Sequence, residues 1–554
     1  MPFVRVETFR GSAIGSSTRD VGKSVVVVGS GAAGLSAALA ARAEGSAVTV
    51  LESTEYVGGT TALSGGVAWV PDNHLERAGE TRDSREKARD YLLSLALGDA
   101  DTELIERFIA QAGYAAQWIE ENSALKWELL PYPDYHCEMP GGMTVGGRSL
   151  SACLVDPNAD VAGLLRPALS WRAPITHLEV VTNTVDPDVI AERRSKGTVT
   201  MGQAMIAALL TTCLEQGVVV RTRTKAVSLL RDESGDRRVI GVQAEVPAGM
   251  EDFHGSVILA SGGFERDEGL ARAFLRIPDP APTGAPGATG EGLRMAMSAG
   301  AELGSMSEAW WAPTIAVPGD EISGKPLFRL ILNERSRPGS MMVDAFGKRF
   351  VNESQNYNDV GRSMHSFDAG SYSFDRRESW LVFDQRYRMS YLIGPVMPTD
   401  PDPDFFCKAD TISELAQHMG VDPEVLVETV EEFNAGARHG SDRQFHRGET
   451  DYDRALGDPE AEHPNLRELI HGPFFAVKVY AGTLGTKGGP RIDGDGRVQH
   501  VGGGAISGLY AAGNAAASFL GLAYPGAGGT LGPAITIGVL AGRAAATDSP
   551  LPRE

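Results

Sequence analysis

Ser24–Glu52 reads SVVVVGSGAAGLSAALAARAEGSAVTVLE. SVVVV (24–28) is a short continuous apolar run, the mark of a strand covered on both faces. GSGAAG (Gly29–Gly34) follows it, LSAALAARAEG reads as a helix closing at Gly45, and AVTVLE (Ala47–Glu52) is the next strand. A lone GxGxxG is weak evidence. Here it has a strand before it, a helix after it and an acid, Glu52, at the end of the second strand, which defines a dinucleotide-binding βαβ unit. Gly29 permits the tight turn, Gly31 lets backbone N–H groups approach a pyrophosphate, and Gly34 lets the helix pack on the strand. The helix N-terminus adds partial positive charge. Glu52 would accept hydrogen bonds from an adenosine ribose and would disfavour a 2′-phosphate.

GGTTALSGGVAWVP (Gly58–Pro71) comes next. Its density of small and hydroxyl residues suits backbone running along a flavin, with Thr60, Thr61 and Ser64 as donors. A nicotinamide dehydrogenase needs no second phosphate-hugging segment directly after the ribose acid, so the pattern favours FAD over NAD.

Further along, residues 75–128 read as mostly charged amphipathic helix, and 129–200 as irregular and Pro-rich, without assignable elements. A helix near Gln203–Gln216 leads into VVVRTRT (Val218–Thr224), a hairpin, and SVILASGGFERD (Ser256–Asp267), a buried strand ending in small residues. GATGEGLRMAMSAGAEL (Gly287–Leu303) is a Gly-rich turn entering a helix. From about 305 to 470 aromatics, Arg and Pro increase, and LYAAGNAAA (Leu509–Ala517) and a helix near Ala534–Ala546 then return to the earlier style. The predicted fold class is α/β: a Rossmann-like FAD-binding domain built from 21–304 and 471–554, an inserted α+β catalytic cap at 305–470, and an N-terminal extension at 1–20.

The 554 residues carry a net charge of −21, which argues against nucleic-acid backbones and anionic membranes as partners. Ordinary globular usage, 42% hydrophobic and 22% charged, excludes a wholly disordered chain. Cys137, Cys153, Cys213 and Cys407 form no CxxC pair, so a disulfide framework, a zinc site and haem attachment lack their signatures. Val501–Gly542 is free of charge but broken by Pro525, Pro533 and many glycines, and reads as buried core rather than a membrane span. With no apolar block in the first twenty residues, a cytoplasmic protein is expected.

GSGAAG with Glu52, then GGTT, ASGGF, GKRFVNES, LGTKGG and LYAAGN resemble the fumarate-reductase-like FAD flavoproteins. Within them AWWAP (Ala309–Pro313), RSRPGSMMVDAFGKRFVNES, DYDRALGD, LGTKGG and AYPGAGGTLGP are similar to the 3-ketosteroid Δ1-dehydrogenases, over nearly the whole chain except 1–20 and roughly 154–200. The resemblance implies FAD-dependent loss of an α proton and a β hydride beside a ring ketone, as in 1,2-desaturation of a 3-ketosteroid. It places Tyr357 (NESQNY) as the base, Tyr135 (PDY) as the partner that helps Tyr357 give up its own proton, and Tyr524 with the Gly528 N–H (YPGAG) on the carbonyl oxygen as an oxyanion hole. A tyrosine base needs such help, because its ordinary pKa is ~10.

Along the cofactor the expected contacts are Gly29, Ser30, Gly31, Ala33 and Gly34, then Glu52 and Ser53, then Gly59, Thr60, Thr61, Ser64, Gly65 and Gly66. Val227, Ala260, Gly262, Gly513, Asn514, Gly529 and Leu531 complete the set. No His or Cys adjoins the flavin segment, so FAD is expected to be non-covalent, and no metal is expected. The implied partners are a ketone, a steroid by resemblance, and a diffusible or quinone electron acceptor.

Three other functions compete. A fumarate-reductase-like enzyme needs Arg and His to clamp two carboxylates, but LGTKGG offers Lys487 without a His and YPGAGGTLGP carries no charge. A related desaturase acting on the 4,5 bond of a 5α-steroid, on a bile-acid derivative or on a small cyclic ketone would use the same tyrosines. A non-enzymatic electron carrier or redox-sensing module would have no use for a cap.

Overall fold

The computed structural model describes residues 24–79, 83–169, 172–182, 184–233, 238–277 and 280–548. The expected 1–20 extension lies outside them. Ser24–Val28 and Ala47–Leu51 are parallel neighbours joined through the helix Ala32–Ala43. They belong to a six-stranded sheet in the order Arg497–Gln499, Ala505–Ala511, Ser256–Leu259, Ser24–Val28, Ala47–Leu51, Val219–Arg221. All neighbours are parallel except the edge strand Arg497–Gln499. Strands from near both ends of the described chain thus share one sheet, with Ser256–Leu259 between them. Helices Ala32–Ala43 and Leu531–Thr547 cover one face and the small antiparallel sheet Lys225–Arg231, Val239–Val246, Gly249–His254 packs on the other, so the inner strands are apolar without alternation: Val25, Val26 and Val27 are each at most 2% exposed. Each such side chain contributes about 1.5–3 kcal/mol of burial. The last helix, Leu531–Thr547, packs along Ala32–Ala43.

A second, antiparallel sheet runs Lys325–Leu330, Ala309–Ile322, Phe474–Thr486, Glu378–Asp384, Ser340–Val343. Its middle strand, Phe474–Thr486, begins just past the boundary expected at 470/471. FFAVKVYAGTLGT pairs with Ala309–Ile322 on one side and Glu378–Asp384 on the other, so the second sheet keeps the chain until Thr486. The region left unassigned at 129–200 contains part of a small three-stranded sheet (Val67–Trp69, Ser149–Ala152, Trp127–Leu130) and the helices Ala159–Leu164, His177–Thr182 and Pro187–Lys196. Among the described residues no helix is long and apolar enough to cross a membrane.

Candidate active site

A cavity of about 550 Å³ opens at the carboxyl ends of the parallel strands, where Val28, Leu51, Ala260 and Ala512 line it. Ligands of open α/β sheets bind at this edge. Gly29 makes the turn out of the first strand at φ +110°, and a Cβ there would lie 2.3 Å from Ala260 O. Gly31, Ala32 and Ala33, at the N-terminus of Ala32–Ala43, face the cavity without a side-chain cap. The Ala32 N–H donates to Thr61 Oγ1 at 3.2 Å. Buried Glu52 ends the second strand and accepts from the Ser30 hydroxyl, from Thr54 N–H (2.9 Å) and from the Thr54 hydroxyl (2.8 Å). Anion-binding N–H groups beside a carboxylate suited to a ribose fit an adenine dinucleotide.

Ser53, Gly59, Thr60, Thr61, Ser64, Gly65, Gly66, Gly262, Gly513, Asn514 and Leu531 also line the cavity. Three expected contacts do not. Val227 is 41% exposed as the unpaired residue of a β-bulge in an edge strand, and its neighbours Lys225 and Ala226 line the cavity instead. Gly34 lies behind the turn, where a Cβ would meet Gly29 O at 2.1 Å, so its role is packing. Gly529 sits against the Tyr524 ring and Pro525.

At the far end Tyr135, Tyr357 and Tyr524 converge. The Tyr357 hydroxyl donates to Tyr524 Oη at 2.8 Å, and Thr530 Oγ1 donates to the same oxygen at 3.3 Å. The Tyr135 ring lies edge-on to both, with centroids 5.6 Å from Tyr357 and 5.3 Å from Tyr524. Gly528 lines the cavity with them, and among the described residues its N–H has no hydrogen-bond partner. Its φ is +94°, and a Cβ would meet Trp69 N at 2.5 Å, so only glycine fits.

Local sequence explains why these side chains stay in place. The Asn352–Tyr357 segment is bolted down by buried guanidinium groups: Arg335 donates to the carbonyls of Glu353 and Gln355, and Arg447 to Ser354 Oγ at 3.2 Å. Glu353, fully buried, pairs with Arg349 (2.8 Å) and Arg447 (3.1 Å), and Arg349 also binds Asp442 (2.8 Å). The Asn356 side chain accepts from Asp359 N–H and starts the helix Tyr357–Ser363. On the other side, Asp134 accepts from Arg148 (2.7 Å) and Trp69 Nε1 (2.8 Å), while Tyr135 N–H donates to Pro525 O at 3.0 Å.

Burial pushes the phenols of Tyr135 and Tyr357 well above their ordinary range and raises that of Tyr524. The phenols are therefore neutral in the free protein.

The sequence reading missed several residues of the site. Tyr452 stacks on Tyr135 with centroids 4.9 Å apart and lines the cavity; DYDRALGD was its only signal. Tyr132, Leu169, Arg172 and His177 line the cavity from the stretch that matched no pattern. His177 Nε2 lies 2.9 Å from Gly65 O, and burial lowers its pKa to about 4. Leu327, Phe328, Leu330, Leu332 and Leu392 add an apolar wall that no spacing announced. Lys487, noted at first for the absence of a histidine, is buried and donates to the carbonyls of Gly521, Leu522 and Ala523 at 3.0–3.1 Å, so it supports the turn that carries Tyr524.

The chain matches the FAD binding domain family over residues 24–531. It is 39% identical to 4-oxocyclohexanecarboxylate 2-dehydrogenase of Sinomonas cyclohexanicum, covering 94% of this chain and 92% of that one. It is 37% identical to 3-oxosteroid 1-dehydrogenase of Mycolicibacterium smegmatis, covering 93% and 96%. A crystal structure of 3-ketosteroid Δ1-dehydrogenase from Sterolibacterium denitrificans, in complex with 1,4-androstadiene-3,17-dione, superimposes with a TM-score of 0.87 at 32% identity, covering 95% of this chain and 99% of that one. The class is thus an FAD flavoprotein oxidoreductase. Within it, the chain belongs to the 3-oxosteroid 1-dehydrogenase family, whose members act on CH–CH groups. Its cofactor is FAD.

Proposed function

We propose that this enzyme removes two hydrogens beside the carbonyl of a cyclic ketone, and that the ketone is a 3-ketosteroid desaturated at its 1,2 bond. One observation carries the reading: Tyr357, Tyr524, Tyr135 and the Gly528 N–H meet at one end of a cavity whose other end suits an adenine dinucleotide. Leu327, Leu330, Leu332, Leu392 and Leu456 along the same cavity suit an apolar, multi-ring substrate. In this reading the parallel sheet is an FAD-binding domain made from both chain ends, and the antiparallel sheet is an inserted cap that brings Tyr357.

FAD supplies the acceptor for the β hydride. The substrate carbonyl takes the place of Tyr357 on Tyr524, so that the Tyr524 hydroxyl and the Gly528 N–H both donate to its oxygen. Negative charge that develops on that oxygen as the α C–H bond breaks is met by donors already in place, which is where such donors act most strongly. The α proton passes to the Tyr357 oxygen as Tyr357 hands its own proton to Tyr135 and Tyr135 hands its own on to solvent, so that no phenol carries two protons. Burial favours the neutral form of all three phenols, and in this reading no standing phenolate is needed. Loss of the α proton and the β hydride leaves a carbon–carbon double bond conjugated to the carbonyl. A diffusible or quinone acceptor then takes the electrons.

The 39%-identical relative, named for a monocyclic keto acid, favours a second reading in which the substrate is a small cyclic ketone bearing a carboxylate. Anaerobic titration of the FAD-loaded protein separates the two. Bleaching by 4-androstene-3,17-dione and not by 4-oxocyclohexanecarboxylate is expected. The reverse pattern would establish the second reading, and bleaching by neither would end both.

A further inference from the structure

The tyrosine relay leaves unused an ion pair that lies beside it. His136 Nε2 is 2.8 Å from Asp359 Oδ2, and its Nδ1 is 3.5 Å from Glu138 Oε1. His136 directly follows Tyr135, and Asp359 lies in the first turn of the helix that Tyr357 begins. Asn356 bridges the pair: its Nδ2 donates to Asp359 Oδ2 at 2.9 Å and lies 3.2 Å from His136 Nε2. On the opposite side, His136 N–H donates to the Tyr91 hydroxyl (3.1 Å), which donates to Pro525 O (2.6 Å), beside Tyr524. One network therefore touches the segments that carry all three tyrosines.

Exposed ion pairs contribute little. This one is only 19% and 31% exposed at its two side chains, and it joins two elements with different supports. The Tyr135 turn is anchored on Arg148 and Pro525, whereas the Tyr357 helix packs on the strand Ala309–Ile322 of the second sheet. The bridge therefore ties the Tyr135 turn to the Tyr357 helix in addition to the ring contacts among the tyrosines.

We infer that His136 and Asp359 are a positioning pair, whose bridge sets the distance between the Tyr135 and Tyr357 phenols and hence the rate of α-proton transfer. The inference rests on the proposed tyrosine relay. Neither residue lines the cavity. Burial works against a charged His136, but hydrogen bonds to Asp359 and Glu138 outweigh it and lift its pKa to about 9, so the bridge is charged at neutral pH. The charged groups that face the pair are Glu138 on the same turn as His136, and Lys487, whose charge interacts with Asp359.

The test uses the FAD-loaded full chain with His136→Gln, Asp359→Asn and the double variant, and with 4-androstene-3,17-dione. Wild-type bleaching by this ketone is the prior control: its failure would sink the proposed function and leave the positioning pair a separate matter for 4-oxocyclohexanecarboxylate, run in the same way. Each single variant is expected to slow flavin reduction about tenfold or more, as small displacements of reacting groups do. KM should change by less than about threefold, because substrate contacts remain. The double variant should be no slower than the worse single within about twofold, since both remove one bridge. The fall of kcat near pH 9 in wild type should flatten in His136→Gln. Wild-type rates in either single variant, losses that multiply in the double, or loss of bound flavin as the main effect would each overturn the inference.

Discussion

Tyr524 accepts one hydrogen bond from Tyr357 and another from Thr530, and both come from donors held by other parts of the chain. Removing its hydroxyl leaves a ring that still packs on Trp310, with centroids 5.0 Å apart. Tyr524→Phe should therefore keep its flavin and lose about 2–4 kcal/mol of transition-state stabilisation, the scale of one oxyanion donor. The measurement is kcat with a saturating ketone, alongside the visible absorbance of the bound flavin. Full activity would make Tyr524 a packing residue. Tyr357, Tyr524 and Tyr135 were legible because each lies in a motif of fixed order. Arg172 and His177 were not: a single polar residue in a Pro-rich stretch gives no spacing to read, and only the folded chain brings His177 to Gly65 O.

Within single elements, the strongest constraint is the buried charge network under the Tyr357 helix. Glu353 neutralises Arg349 and Arg447, and its carboxyl is held below the usual range: burial opposes this, and the two guanidinium groups outweigh it. Glu353→Ala would leave buried charge unpaired, and unfolding in urea should reveal a loss of about 3–5 kcal/mol. A loss near zero would mean that solvent or Asp442 replaces the carboxylate. The ion pair of His136 makes a second, pH-dependent prediction. Its folded pKa of about 9 lies above the ordinary histidine value of about 6.5, so its contribution to stability is complete below about pH 6.5 and is lost as pH rises through about 9. Tm should decline over that window in wild type and decline less in His136→Gln; equal slopes would show that other groups titrate. Element legibility followed length and periodicity. The first βαβ unit and the final helix were readable from apolar runs, whereas strands of three or four residues, such as Val67–Trp69 and Ser149–Ala152, give too few positions for a period. The sheet to which Phe474–Thr486 belongs was not legible: an apolar strand looks the same in either sheet, and only its partners decide where it lies.

Across the whole molecule, the proposed cofactor and substrate positions fall in one cavity, lined both by the carboxyl ends of the parallel strands and by Tyr357. Among the described residues no cysteine lines it, and His177 is engaged with Gly65 O. FAD should therefore be released intact when the protein is denatured in acid, leaving a yellow supernatant; colour that stays with the precipitate would indicate a covalent link. The central claim is that Tyr357, carried on the second sheet's side, takes the α proton while flavin takes the hydride. Tyr357→Phe keeps the ring and removes only the oxygen, so it isolates that step. The direct measurement is anaerobic stopped-flow mixing of this variant with 4-androstene-3,17-dione, followed at the flavin band, with exchange of the substrate's α proton into deuterated water read in parallel. The expected result is a binding perturbation without bleaching, and exchange reduced together with it. Bleaching and exchange at wild-type rates would contradict the assignment and place the base elsewhere.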